Sequence, residues 1–225
     1  MRMMRLAAMA LAMVSVAATR ATPGNWNARV EVTPSGSHVL GNPVAQLKLS
    51  EYISYTCPHC AHFDEEATDR LRIYGIAQGK LSVEVRHLVR DPIDLTVAML
   101  TNCGPPARFF ANHTTFLRSQ TQWMALANRA TAAQQARWTT GTQKSRLQSI
   151  ATDFGFFAIM AQRGYDRMTV ERCLADQVMA KKLADQTAAA TQLGGEGTPS
   201  FLLDGALLAG THDWTSLKAQ LDARM

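Results

Sequence analysis

The chain has 225 residues, 47% of them hydrophobic, enough to bury a sizeable core in one domain with an insertion or in two lobes. Its net charge of +5 comes from 23 basic and 18 acidic residues, scattered rather than clustered, so there is no electrostatic footprint for nucleic acid. Four cysteines are far too few for a disulfide-dense scaffold, and the core must carry the fold itself.

Residues 1–21, MRMMRLAAMALAMVSVAATRA, set Arg2 and Arg5 ahead of an apolar run from Leu6 to Ala18, with small residues after it. This is the three-part pattern of a removable secretory signal. The run, about 13 residues, falls short of the roughly 20 that span a bilayer, which weighs against an uncleaved anchor. Cleavage after Ala18 or after Ala21 fits. Removal through Ala21 takes three arginines, leaving 20 basic residues (23 − 3) against 18 acidic ones. An exported chain meets a compartment in which disulfides form and persist.

From Ala28 to Gly41, across the end of the N-terminal segment 22–37, short β-branched stretches (ARVEV, then HVLG) flank Pro34-Ser35-Gly36 and predict a short edge strand and a turn. QLKLSEYISY, 46–55, alternates and reads as a buried central strand. A helix is expected from about Pro58 to Gln78, with Phe63, Ala67, Leu71 and Tyr74 on one face, stopping near Gly79. LSVEVRHLV, 81–89, is the next strand and completes a βαβ unit with a right-handed crossover. From 91 to 193 the pattern is helical throughout, four or five helices broken at Gly104-Pro105-Pro106, Thr139-Thr140-Gly141 and Gly164. Strand signals return at PSFLLDG (199–205) and ALLAG (206–210), a hairpin around Asp204-Gly205. The last 15 residues read as an amphipathic helix with Thr211 or Asp213 as N-cap. The fold class is α/β: one domain, 38–90 with 194–225, carrying an inserted α-helical domain at 91–193.

Cys57-Pro58-His59-Cys60 follows the central strand. A structural zinc site needs four ligands, and no second knuckle accompanies this one; no metal is expected. A structural disulfide across so small a loop adds little stability. A redox pair fits better. Pro58 suits the first helical turn, which makes Cys57 the N-cap and turns the free N–H groups and positive helix end toward its sulfur. A thiolate there is stabilised, and His59 can favour it further, although a solvated loop histidine is the plainer use. Cys60, one turn in, is the more buried, resolving thiol. Glu51, six residues before Cys57, can relay a proton to Cys60 if it faces inward; an edge-facing Glu is the alternative. In Gly197-Thr198-Pro199-Ser200-Phe201, a proline opening a strand can be cis, leaving Thr198 to offer backbone groups to an extended substrate.

CPHC after EYISYT, the long helical insertion, and GTPSFLLDG before a C-terminal helix resemble the periplasmic thiol:disulfide oxidoreductases of the DsbA-like branch of the thioredoxin superfamily, over about 38–225. The resemblance implies a thioredoxin-like fold, Cys57 as the sulfur that attacks or is attacked, Cys60 as resolving thiol and Pro199 as a cis proline facing the pair. It implies disulfide donation to newly exported, unfolded cysteine-containing proteins, reoxidation by a quinone-linked membrane partner, a periplasmic location and no cofactor. The chain departs from the archetype at Thr198, where that protein has valine. It also departs in an extra pair, Cys103 and Cys173, which suggests a subgroup with a second disulfide. That pair reads as a structural bridge; exchange with Cys57 is the alternative. The roughly 20 residues between signal and fold are too few for a dimerisation domain, which favours a monomeric oxidase over an isomerase. A dedicated reductase and a chaperone-like binder of unfolded chains are the competing functions.

Four further signals have plainer uses. Gly194-Gly195-Glu196-Gly197 runs into Thr-Pro instead of a phosphate-binding helix start. Asn112-His113-Thr114 is a glycosylation acceptor only on a surface loop. FGFFAIM, 154–160, reads as helical core, and His212-Asp213 as a helix cap.

Overall fold

A computed structural model describes residues 24–194 and 197–225 of the chain; the predicted signal segment, 1–21, and Gly195-Glu196 lie outside the described residues. Six strands form one mixed sheet: β1 (Val30–Val32), β2 (His38–Gly41), β3 (Leu47–Ile53), β4 (Leu81–His87), β5 (Ser200–Leu203) and β6 (Ala206–Leu207). Their order across the sheet is β1-β2-β4-β3-β5-β6. Only β3 and β4 run parallel, joined through α1 (Pro58–Leu71) as the βαβ pattern requires.

Strand β3 is buried at every position except Lys48, because the sheet is covered on both faces. The period of two sends Leu49, Glu51 and Ile53 one way and Tyr52 the other. Leu49 and Ile53 belong to the main core with Phe63 and Leu71 of α1, while Tyr52 packs with Leu202 and Ala190 of the last inserted helix. Glu51 thereby faces the helix that begins at the cysteine pair.

The regular α-helix stops at Leu71, earlier than the expected end near Gln78, and continues as one wide π-turn over Arg72–Ile76. Gly75 sits so close to β4 that a Cβ there would lie 2.6 Å from the Leu81 Cβ. The loosened turn brings the chain into β4 at that near approach, and Gly79, at φ +71°, completes the reversal.

Eight helices occupy the insertion, more than the four or five expected: α2 (Pro92–Thr101), α3 (Phe109–Arg118), α4 (Gln120–Ala127), α5 (Ala132–Thr139), α6 (Gln143–Asp153), α7 (Phe156–Gln162), α8 (Arg167–Leu174) and α9 (Gln177–Gln192). The additional breaks need no proline. Thr131, Asp166 and Asp176 each cap a new helix by accepting backbone N–H groups, and Gly155 turns at φ +68°. Phe154, Phe156 and Met160 are buried as helical core. The chain ends in the β5–β6 hairpin, with Asp204 and Gly205 both at positive φ, and in α10 (Trp214–Asp222), capped by Asp213. Among the described residues no helix is long and apolar enough to cross a membrane.

Candidate active site

Cys57 is the N-cap of α1, with extended backbone (φ −91°, ψ 117°) and Pro58 at the first helical position. Its side chain caps nothing, so the sulfur stays free while the first-turn N–H groups converge on it. Cys57 is 2% exposed and Cys60 fully buried, both as free thiols. The Cys57 thiol donates to the Thr198 carbonyl oxygen at 3.0 Å, across a Thr198–Pro199 peptide bond that is cis. Residues 141 apart in the chain therefore meet at one sulfur.

The two thiols ionise very differently. Cys57 falls from 9.0 to about 5, chiefly because the Cys60 thiol donates to it; burial opposes this, and the Thr198 side chain and the backbone N–H groups of Cys60 and His59 add to it. Cys60 is pushed well up, first by burial, then by its donation to Cys57 and the Cys57 charge, with Glu51 adding to the effect. The carbonyl contact belongs to the protonated Cys57. Once it is ionised, the Thr198 hydroxyl can turn to it, since Oγ1 is buried without a partner among the described residues.

His59 serves the sulfur through its backbone N–H. Its ring is exposed and lines a groove of about 530 Å³ with His62, Phe63, Glu66, Thr198 and His212. His212 does more than flank a cap: its Nδ1 lies 2.8 Å from the Pro199 carbonyl oxygen. Glu51 is 6% exposed, and burial, with the Asp64 charge adding, raises it to about 8. It borders a cavity of about 30 Å³ beneath α1, beside Thr68, His113 and Thr114, with room for a water molecule.

Three buried polar residues near the site escaped the sequence reading. Asp64, on α1, accepts from Thr68, Thr114 and Arg118 at 2.8–3.1 Å. Asp94, on α2, accepts from the Ser54 hydroxyl (2.6 Å) and the Tyr55 and Arg90 N–H groups (2.7 and 3.0 Å). Gln120, on α4, donates to the carbonyls of Tyr55 and Cys57. An acidic residue on a helix face is a weak signal until the fold buries it.

Cys103 and Cys173 are joined, with 5.5 Å between Cα atoms, tying the end of α2 to α8. Cys103 follows Thr101 at the end of α2, whose hydroxyl accepts from the Tyr55 phenol at 3.0 Å. Among the described residues no group of three or more His, Cys, Asp or Glu is placed to hold a metal.

The arrangement pairs a sulfur held as the thiolate with a second, fully buried sulfur that stays protonated, beside a carboxyl that is itself protonated near neutral pH. That is a constellation for thiol–disulfide exchange.

The comparisons with known proteins agree. A family model described as thioredoxin matches residues 33–223. A solved structure of a protein-disulfide isomerase from Novosphingobium aromaticivorans is 54% identical, at a TM-score of 0.81, covering 84% of this chain and 97% of that one. The structure of Wolbachia pipientis alpha-DsbA1 shares the fold, with TM-score 0.67 at 19% identity over 86% of this chain and 92% of that one. The curated "Putative protein-disulfide oxidoreductase" of Rickettsia felis is 25% identical over 186 residues, 82% of this chain and 58% of that protein. The chain thus spans little more than half the length of the curated relatives of that name. On its matched family model, which spans most of the chain, the chain belongs to the thioredoxin family.

Proposed function

We propose that the protein is a periplasmic oxidase that donates its Cys57–Cys60 disulfide to newly exported cysteine-containing proteins. The opposed ionisation of the two sulfurs carries this reading. A substrate thiolate attacks Cys57, the sulfur nearer solvent, forming a mixed disulfide and expelling Cys60 as a thiolate. That leaving group is poor, and Glu51, protonated below about pH 8, is the acid that supplies its proton. A second substrate thiolate then attacks the substrate sulfur of the mixed disulfide and expels Cys57, a good leaving group. The substrate dithiol loses two electrons to become a disulfide, and the enzyme gains them as a dithiol. Because the reduced form is stabilised at Cys57, the disulfide form is oxidising.

On this reading 38–90 and 194–225 form the redox domain, 91–193 the insertion, and Thr198-Pro199 the edge that meets an extended substrate segment. The protein acts as a monomer and is returned to the disulfide form by a quinone-linked membrane partner. Isomerisation is the second reading, favoured by the name of the 54% identical structure. The test is trapping: a Cys60→Ser variant mixed with a disulfide-bearing unfolded protein should accumulate a mixed disulfide at Cys57, and Cys57→Ser should form none. Absence of any mixed disulfide, with binding of unfolded chains retained by Cys57→Ser, would indicate a chaperone-like binder instead.

A further inference from the structure

The loop that ends at Cys57 is held by side chains from the insertion. Gln120 opens α4 and is 5% exposed. Its amide nitrogen lies 2.6 Å from the Tyr55 carbonyl oxygen and 2.9 Å from that of Cys57. Both targets are acceptors only, so chemistry fixes which end of the amide faces them: the NH₂ group spends one N–H on each. The Cys57 carbonyl also accepts the N–H groups of Cys60 at 3.2 Å and Ala61 at 3.4 Å, so Gln120 is its shortest donor. From the other side Asp94 takes the Tyr55 N–H, and Asp91 takes the Thr56 hydroxyl at 2.7 Å. Residues 55–57 are thus fixed at both peptide faces by groups 35 to 65 residues away.

We propose that Gln120 is a positioning residue for the nucleophile: it holds the Cys57 backbone in the N-cap conformation that keeps the α1 N–H groups aimed at the sulfur. This deepens the exchange reading above and rests on Cys57 being the reactive sulfur. Without the amide, the Tyr55 carbonyl loses its donor and the Cys57 carbonyl keeps only the two longer helix N–H bonds, so the loop that sets the N-cap is held less firmly. A carboxylate at the same position is worse, since it faces both carbonyls with no proton to give.

The test uses the full chain and two variants, Q120L and Q120E. Cys57 ionisation is followed by thiolate absorbance against pH, and the dithiol equilibrium is measured against glutathione. In Q120L the ionisation midpoint should rise by about one pH unit, and the reduced form should lose about tenfold in the glutathione equilibrium, about 30 mV toward a weaker oxidant. Q120E should move both further the same way above the pH at which its carboxyl ionises, and should move them less below it, where its single O–H serves one of the two carbonyls. A merely structural residue would lower the melting temperature of both redox forms alike and leave both readouts in place; that result overturns the proposal. If Q120L fails to fold, the pH-dependent behaviour of Q120E decides alone. If wild type itself shows neither a depressed Cys57 midpoint nor exchange with glutathione, it is the exchange reading that falls.

Discussion

At the residue scale, Cys57 and Glu51 carry opposite perturbations, and each predicts a pH dependence. Below about pH 5 reduction of the disulfide takes up two protons; above it Cys57 stays ionised and only Cys60 takes one. Each proton changes the equilibrium tenfold per pH unit, about 30 mV for a two-electron couple, so the potential should fall by about 59 mV per unit below pH 5 and about 30 mV above it. An electrochemical or glutathione titration across pH 4–8 checks the change of slope, and a single slope throughout would place the Cys57 ionisation elsewhere. Glu51 has its folded value raised from 4.5 to about 8, so it adds stability relative to its ionised state below 4.5 and loses it as pH rises through 8. Glu51→Gln should therefore leave stability nearly unchanged at pH 4 and raise it at pH 8 by several kcal/mol, on the order of 4. The same variant should slow reduction of the enzyme disulfide, because Cys60 then leaves without its acid. Denaturant titrations at the two pH values, with stopped-flow reduction by a substrate peptide, check both.

At the scale of elements, α2 fixes the dithiol loop from its N-terminal end and is tied down at its C-terminal end. Asp91 caps α2 through the N–H groups of Ile93 and Asp94 and also takes the Thr56 hydroxyl. Asp91→Ala should cost about 1–2 kcal/mol, measured by chemical denaturation. The Cys103–Cys173 bridge closes a loop of 70 residues, for which chain entropy gives about 4 kcal/mol. The Cys103→Ser/Cys173→Ser variant should lose stability on that scale while its dithiol potential stays where it was, since the groups that shift Cys57 and Cys60 are each other, Thr198, Glu51 and nearby backbone N–H groups. A shift in potential would instead make the bridge a tuning element. Much of this scale was legible beforehand. The central strand, the crossover, the late hairpin and the Asp213 cap follow from alternation and turn residues, and the helix start at Cys57 from Pro58. The insertion was only partly legible. Its extra breaks rest on Thr and Asp caps and on one glycine, signals that also occur inside helices. Asp64, Asp94 and Gln120 stayed hidden because the partners that bury them, Arg118, Tyr55 and Tyr55 again, lie 39 to 65 residues away, at separations that periodicity does not sample.

At the scale of the whole molecule, the buried titratable groups pull stability in two directions. His38, His87 and His113 gather around Phe109, with His38 stacked on the ring at 3.9 Å and Tyr55 packed beside the other two. Burial lowers His38 to about 4 and His87 to about 3, and it lowers His113 as well. The unfolded chain therefore binds protons that the native state refuses, and stability is lost as pH falls from 6.5 toward these values, by about 3 kcal/mol for His38 alone. Asp94 and Glu51, raised by burial to about 7 and 8, act in the opposite sense and cost stability as pH rises through those values. For the disulfide form, in which no thiol of the pair titrates, the two trends should cross near pH 6. Thermal melts of oxidised protein should show a maximum about there, with a decline on both sides.

The most direct test of the central claim, that Cys57–Cys60 is a disulfide-donating couple, is its reduction potential against glutathione, measured in the intact chain and again without Cys103 and Cys173. The stabilised Cys57 thiolate predicts a value well above that of thioredoxin, about −270 mV, in both proteins. A value at or below thioredoxin's would contradict the oxidase and leave a reductase or isomerase built on the same fold.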